Sequence, residues 1–125
     1  MRALRGERGQ AAVELALGLP LLAVLALALL QVAFVVRDQV LLTHAAREAA
    51  REAAVSPDPD AARRAALEGA GLDGDRLTLE VQGRGRPGSR VRVVLRYASP
   101  TQVPLIGAVL GDVHLSSTAA MRVEL

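Results

Sequence analysis

A chain of 125 residues with no cysteine, 2% aromatic residues and a formal net charge of +2 excludes several classes of function at once. Without cysteine there is neither a disulfide framework nor a thiolate metal site, and so few aromatic rings give single-stranded nucleic acid no stacking platform. Its 15 basic residues, all arginine, are interspersed with 13 acidic ones, so the unbroken basic stripe that nucleic acid needs is missing and no nucleic-acid partner is expected.

Arg2, Arg5 and Arg8 open the chain against a single acidic Glu7. Next comes a run from Leu15 to Val36 without a charged residue, about 22 residues where a helix needs about 20 to cross the hydrocarbon core. A helix satisfies its own backbone hydrogen bonds and can lie in lipid without unpaired amides. The run exceeds the apolar core of a cleaved secretory signal, about 7–15 residues. The basic excess on its N-terminal side favours a cytoplasmic N-terminus, with the residues beyond Arg37 outside the cytoplasmic membrane. Two residues break the pattern. Glu14 puts a carboxylate at the head of the run, where it is costly without a partner or a task. Pro20 removes a backbone donor and is expected to kink the helix, although membrane helices also carry ordinary prolines.

The segment from Gly9 to Glu14 reads Gly-Gln-Ala-Ala-Val-Glu and leads directly into L-A-L-G-L-P-L-L. It resembles the processing site of type IV pilin-like proteins, and most closely the TadE-like family, the minor pilins or pseudopilins of tight-adherence (Flp) pili. Leu15 stands where many relatives carry an aromatic residue and keeps that position apolar. The resemblance implies a basic leader over 1–9, a cut between Gly9 and Gln10 by a prepilin peptidase, a transmembrane helix over 10–36 and an extracytoplasmic part over 37–125. Glu14 becomes the fifth residue of the mature chain. It would be neutralised by the new amine of Gln10, on a neighbouring subunit or its own chain, and Pro20 would let the helix loosen during assembly. The implied partners are the cytoplasmic membrane, the peptidase, other pilin or pseudopilin subunits and the assembly machinery. Two other readings stand beside it: a permanent anchor carrying an unrelated extracytoplasmic binding module, and a cleaved signal.

Past the membrane run the helical pattern continues without Gly or Pro up to Pro57, giving a helix from about Ala11 to about Val55. Ala45, Ala46, Ala49, Ala50, Ala53 and Ala54 recur at helical spacing and form one small-residue face. Arg47, Glu48, Arg51 and Glu52 lie opposite, with Glu48 and Arg51 spaced as an i,i+3 pair. Ser56-Pro57-Asp58-Pro59 ends this stalk, and Asp58 with Pro59 signals a second, short helix that stops near Gly69 to Gly71.

The remainder reads as strands. Leu77, Leu79 and Val81 alternate onto one face, as do Val91, Val93, Leu95 and Tyr97, and then Val113, Leu115, Met121 and Val123. The fold expected is α+β: a long N-terminal membrane-spanning helix extended as a stalk, a short helix, and a three-stranded antiparallel sheet over the Ala face. The hairpin loop holding Arg84, Arg86 and Arg90 could grip an anionic polymer, although such clusters more often keep a loop soluble. Val103, Leu105, Ile106, Val109 and Leu110 are apolar within a loop. Burial over the open edge of the sheet is expected, with an exposed patch as the alternative.

No catalytic or metal-binding constellation is present. His44 and His114 lack any zinc-ligand spacing. Ser116, Ser117 and Thr118 lie near His114 without a nucleophile elbow. Asp73, Gly74 and Asp75 fall short of a calcium loop and read as a turn. No enzymatic activity, cofactor or small-molecule substrate is expected.

Overall fold

The computed structural model describes residues 2–124, and side chains from residue 6 to residue 124. The side chains of Arg2 and Arg5, on which most of the basic excess rests, and the last strand residue expected, Leu125, lie outside those described.

One helix, α1, runs from Arg2 to Val55, 54 residues without a break, or about 80 Å at about 1.5 Å per residue. It starts earlier than the sequence pattern suggested. The arginines and Ala3, Leu4 and Glu7 are good helix formers and carry the helix through Gly6 and Gly9. Pro20 sits inside the helix, where its missing N–H leaves the carbonyl of Ala16 without its usual donor.

After Val55 the chain reverses. Asp58 caps α2 (Pro59–Leu67) by accepting a hydrogen bond from the Asp60 N–H at 3.0 Å, and Pro59 occupies its first turn. Ala62 and Ala66 are fully buried, and Leu67 packs half-buried at the edge of the core. A short 3₁₀ turn, Gly74–Arg76, follows, with the Asp73 carboxylate accepting from the Asp75 N–H at 3.1 Å. This pair of aspartates therefore serves as a turn.

Three strands, β1 (Leu77–Gln82), β2 (Arg90–Ser99) and β3 (Val113–Arg122), form an antiparallel sheet in the order β1-β2-β3. Leu79 pairs with Leu95, and Val93 with both Val81 and Ala119. The odd-numbered residues of all three strands face α1. Val91, Val93 and Leu95 are wholly buried, and Tyr97 nearly so. They close on Leu42, Ala45, Ala46, Ala49, Ala50, Ala53 and Ala54. Methyl side chains on the helix let the sheet approach closely, so a core can form although the domain is small. Glu48 and Arg51 form the exposed i,i+3 pair, at 3.8 Å.

The hairpin between β1 and β2 turns at Gly83, whose φ of +72° and whose 3.2 Å clearance from the Arg90 carbonyl leave no room for a side chain. Beyond β3, the Val123 N–H donates to the Ser89 carbonyl at 2.8 Å and the Glu124 N–H to the Ala54 carbonyl at 3.2 Å. These bonds fasten the far end of the sheet to the end of α1.

The connection from β2 to β3 departs from expectation. Ile106–Leu110 forms a short helix, α3, rather than a loop. Val103 is buried, but Leu105, Val109 and Leu110 are 69%, 83% and 62% exposed. The predicted burial of this apolar stretch is therefore wrong for most of it. The sheet face over α1 is already filled by β-strand side chains, and the segment lies at the end of the sheet instead.

Candidate functional site

The residues singled out by the sequence lie on the first turns of α1. Gly9, Gln10 and Glu14 are all exposed, and the Gly9–Gln10 peptide bond lies inside the helix. Gln10 and Glu14 are four residues apart and so share one face of α1, a single turn from each other. No side chain among the described residues forms a salt bridge with Glu14. A methyl group at Gly9 would meet nothing within 4 Å in this chain. The site is thus an open helical segment, with its chemistry directed outward.

Immediately beyond Glu14 the apolar run is almost entirely exposed. Leu15, Leu17, Leu19, Leu21, Leu22, Val24, Leu25, Leu29 and Leu30 contact no other part of the protein extensively. One helix is therefore long and apolar enough to cross a membrane, and its apolar surface is presented outward rather than folded into a core. Such a surface in water would cost about 25 cal/mol per Å², and lipid removes that cost.

Elsewhere, the hairpin arginines do not converge. Arg84 donates to the Ala53 carbonyl at 3.0 Å and satisfies one of the unpaired carbonyls that end α1. Arg86 and Arg90 remain exposed. Arg76 donates to Asp112 at 3.0 Å beside a shallow groove lined by Thr78, Arg96, His114 and Ser116. This groove is open and lies on the polar outer face of the sheet. His44 and His114 are both exposed, and the described residues contain no group of three or more His, Asp or Glu placed to hold a metal ion.

Sequence reasoning missed one polar residue. Gln31 lies within the apolar run yet is only 3% exposed, and its amide has no hydrogen-bond partner among the described residues. A lone glutamine in an apolar run was the available signal.

No curated protein and no solved structure matches the chain. Residues 9–51, about a third of the chain, match the family model described as TadE-like protein. The match begins at the glycine of the exposed motif and ends within the alanine face, and over that length α1 is similar to the TadE-like family.

Proposed function

We propose that the chain is a minor pilin or pseudopilin of a tight-adherence (Flp) pilus. It enters the cytoplasmic membrane with its N-terminus in the cytoplasm and the sheet domain outside. A prepilin peptidase cuts between Gly9 and Gln10, leaving α1 anchored. The observation that carries this reading is a TadE-like segment whose Gly9 and Glu14 stand at the head of a helix with an exposed, membrane-length apolar surface.

The mechanism is assembly rather than catalysis. After the cut, the amine of Gln10 and the carboxylate of Glu14 carry opposite charges at the edge of the hydrocarbon. Coulomb attraction grows as the dielectric falls, whereas a lone carboxylate there is expensive. Pairing Glu14 of one subunit with the amine of the next removes that cost in one axial register only. The fold supports this by leaving Glu14 exposed and unpaired within its own described residues.

Mass spectrometry of the membrane-bound protein from cells that possess the peptidase tests the proposal. The expected mature chain starts at Gln10 with α1 intact. A chain that still begins at Met1 or Arg2 contradicts it.

A further inference from the structure

The sheet meets α1 at a defined height. At its end nearest the apolar run, the Ser99 hydroxyl donates to the Asp38 carboxylate at 2.6 Å, and Ser99 pairs across the sheet with Val113. The Gln39 amide donates to the Ser116 carbonyl at 3.3 Å. Below this level, toward the N-terminus, the sheet has ended, but a stripe of α1 remains covered. Gln31 is buried, and Leu27, Ala28, Phe34 and Val35 are half-buried, while Leu29, Leu30, Val32 and Val36 are exposed. These covered positions follow the three-and-four spacing of one helix face, and the same face continues upward through Asp38 and Gln39 to Leu42.

The segment between Ser99 and Val113 leaves the sheet at this end, where Ser99 meets Asp38. Its helix α3 lies against α1, whose other main contacts are with α2, β2 and β3. The segment is a closed loop. The Thr101 hydroxyl donates to the Gly111 carbonyl across its neck, and the Gly107 N–H donates to the Val103 carbonyl at 3.2 Å. Gly107 passes so close to Thr101 that an added Cβ would lie 3.2 Å from its carbonyl oxygen. Leu105 holds a positive φ of +69°, unfavourable for a residue with a side chain, at the turn into α3. Gln31 lies about 10 Å below Asp38 at about 1.5 Å per residue.

We propose that this loop is a second membrane contact: α3 is seated among the acyl chains of the leaflet at the domain end of α1, with Leu105, Val109 and Leu110 in lipid. This rests on the reading that α1 spans the membrane. The occupant follows from continuity, because α3 lies against α1, whose exposed apolar run that reading already places in lipid. The loop carries no charged residue from Ser99 to Gly111, which suits hydrocarbon. Seated there, it would also help to shield from lipid the buried Gln31 amide, a polar group that is costly there. Two contacts, α1 and α3, hold the domain at one tilt against the membrane surface, where a single helix would leave it free to swing.

The chain has no native cysteine, so single cysteines can carry an environment-sensitive fluorophore in the full-length protein reconstituted in phosphatidylcholine vesicles. Three positions are compared: Val109→Cys, Leu25→Cys in the middle of the apolar run, and Arg86→Cys on the distant hairpin. Val109 is mostly exposed, so the label leaves the core intact. The quenchers are lipids spin-labelled near the headgroup, lipids spin-labelled deep in the chain, and aqueous iodide. The label at Val109 is expected to be quenched best by the shallow spin label and several-fold less by iodide than the label at Arg86. Iodide quenching equal to that at Arg86, with Leu25 still quenched by the deep label, overturns the proposal and leaves the spanning helix standing. Protection of Val109 from both lipid and iodide also overturns it, and points to a second copy of the chain as the cover. A label at Leu25 that the deep quencher does not reach overturns the spanning helix, and the proposal falls with it.

Discussion

Ser99 and Asp38 are 61 residues apart in sequence and 2.6 Å apart in space, hydroxyl to carboxylate. Ser99 is wholly buried at the end of β2, and Asp38 stands where the apolar run gives way to the stalk. Their bond fixes the height of the sheet on α1. A hydrogen bond to a charged group contributes about 1.5–3 kcal/mol. The Ser99→Ala variant is expected to lose about that much stability, since it leaves a half-buried carboxylate without its donor. The single tyrosine, Tyr97, is buried in the same core, and its fluorescence in detergent-solubilised protein reports unfolding by urea.

The alanine face invites the opposite kind of change. Ala50 is fully buried in the core, which has no open space beside it for a longer side chain to reach solvent. Ala50→Leu is expected to destabilise the domain by about 1–3 kcal/mol through overpacking. Leucine at an exposed stalk position, His44→Leu, serves as a control for added apolar surface. The unfolding midpoint should fall for the first and hold for the second.

Much of this fold is legible in the sequence because the physics that forms it is local. The alanine spacing marks the helix face that the sheet covers, and strict alternation marks Val91, Val93, Leu95 and Tyr97 as its inner side. Asp58-Pro59 marks the start of α2 through a side-chain cap that operates within three residues. The helical state of Ile106–Leu110 was not legible. Five residues that include Gly107 and stop at Gly111 cannot nucleate a helix alone, and the hydrogen bonds across the loop together with contact with α1 hold them. Their exposure was misjudged for a related reason: apolar residues in a small domain suggest burial, unless the neighbouring surroundings are lipid. At the motif itself, Gly9 and Glu14 were visible, but the helical state of the residues before them was not, because Gly6 and Gly9 mask the propensity of their neighbours.

That helical state bears on processing. Peptidases act on extended backbone, so on the proposed processing the turn around Gly9–Gln10 would have to unwind before the cut. Gly9→Ala removes no contact within this chain, because its methyl would meet nothing within 4 Å. It stabilises the helix by about 1 kcal/mol and adds bulk at the scissile residue. Gly6→Ala adds the same helix propensity without touching that residue, and it too meets nothing within 4 Å. We expect Gly9→Ala to leave mostly precursor, and Gly6→Ala to be cut at close to the normal rate. Pulse-chase labelling followed by gel analysis of the two forms measures both.

Glu14 is expected to act after the cut. Glu14→Ala lowers the cost of the helix in lipid, so insertion and cleavage should be close to normal. Glu14→Gln keeps the shape and loses the charge. Both should impair pilus yield to a similar degree, since each removes the attraction to the Gln10 amine. Pilus yield or adherence, normalised to processed protein in the membrane, is the measurement. Normal yield in both variants would mean that the carboxylate has no part in assembly.

Because α1 is continuous from the motif to the sheet, it also sets a rotational phase. Glu14 and Ala50 are separated by about ten turns at about 3.6 residues per turn. They therefore share an azimuth, and the domain core that buries Ala50 is built on the side of the helix on which the carboxylate lies. A neighbour docking at Glu14 would meet the domain on that same side. Inserting one alanine after Leu25 would swing the domain by about 100° about the helix axis and lift it by about 1.5 Å. The motif and the core would both stay intact. Processing and Tyr97 fluorescence should then be unchanged while pilus yield falls, as for two parts of a shaft keyed out of alignment.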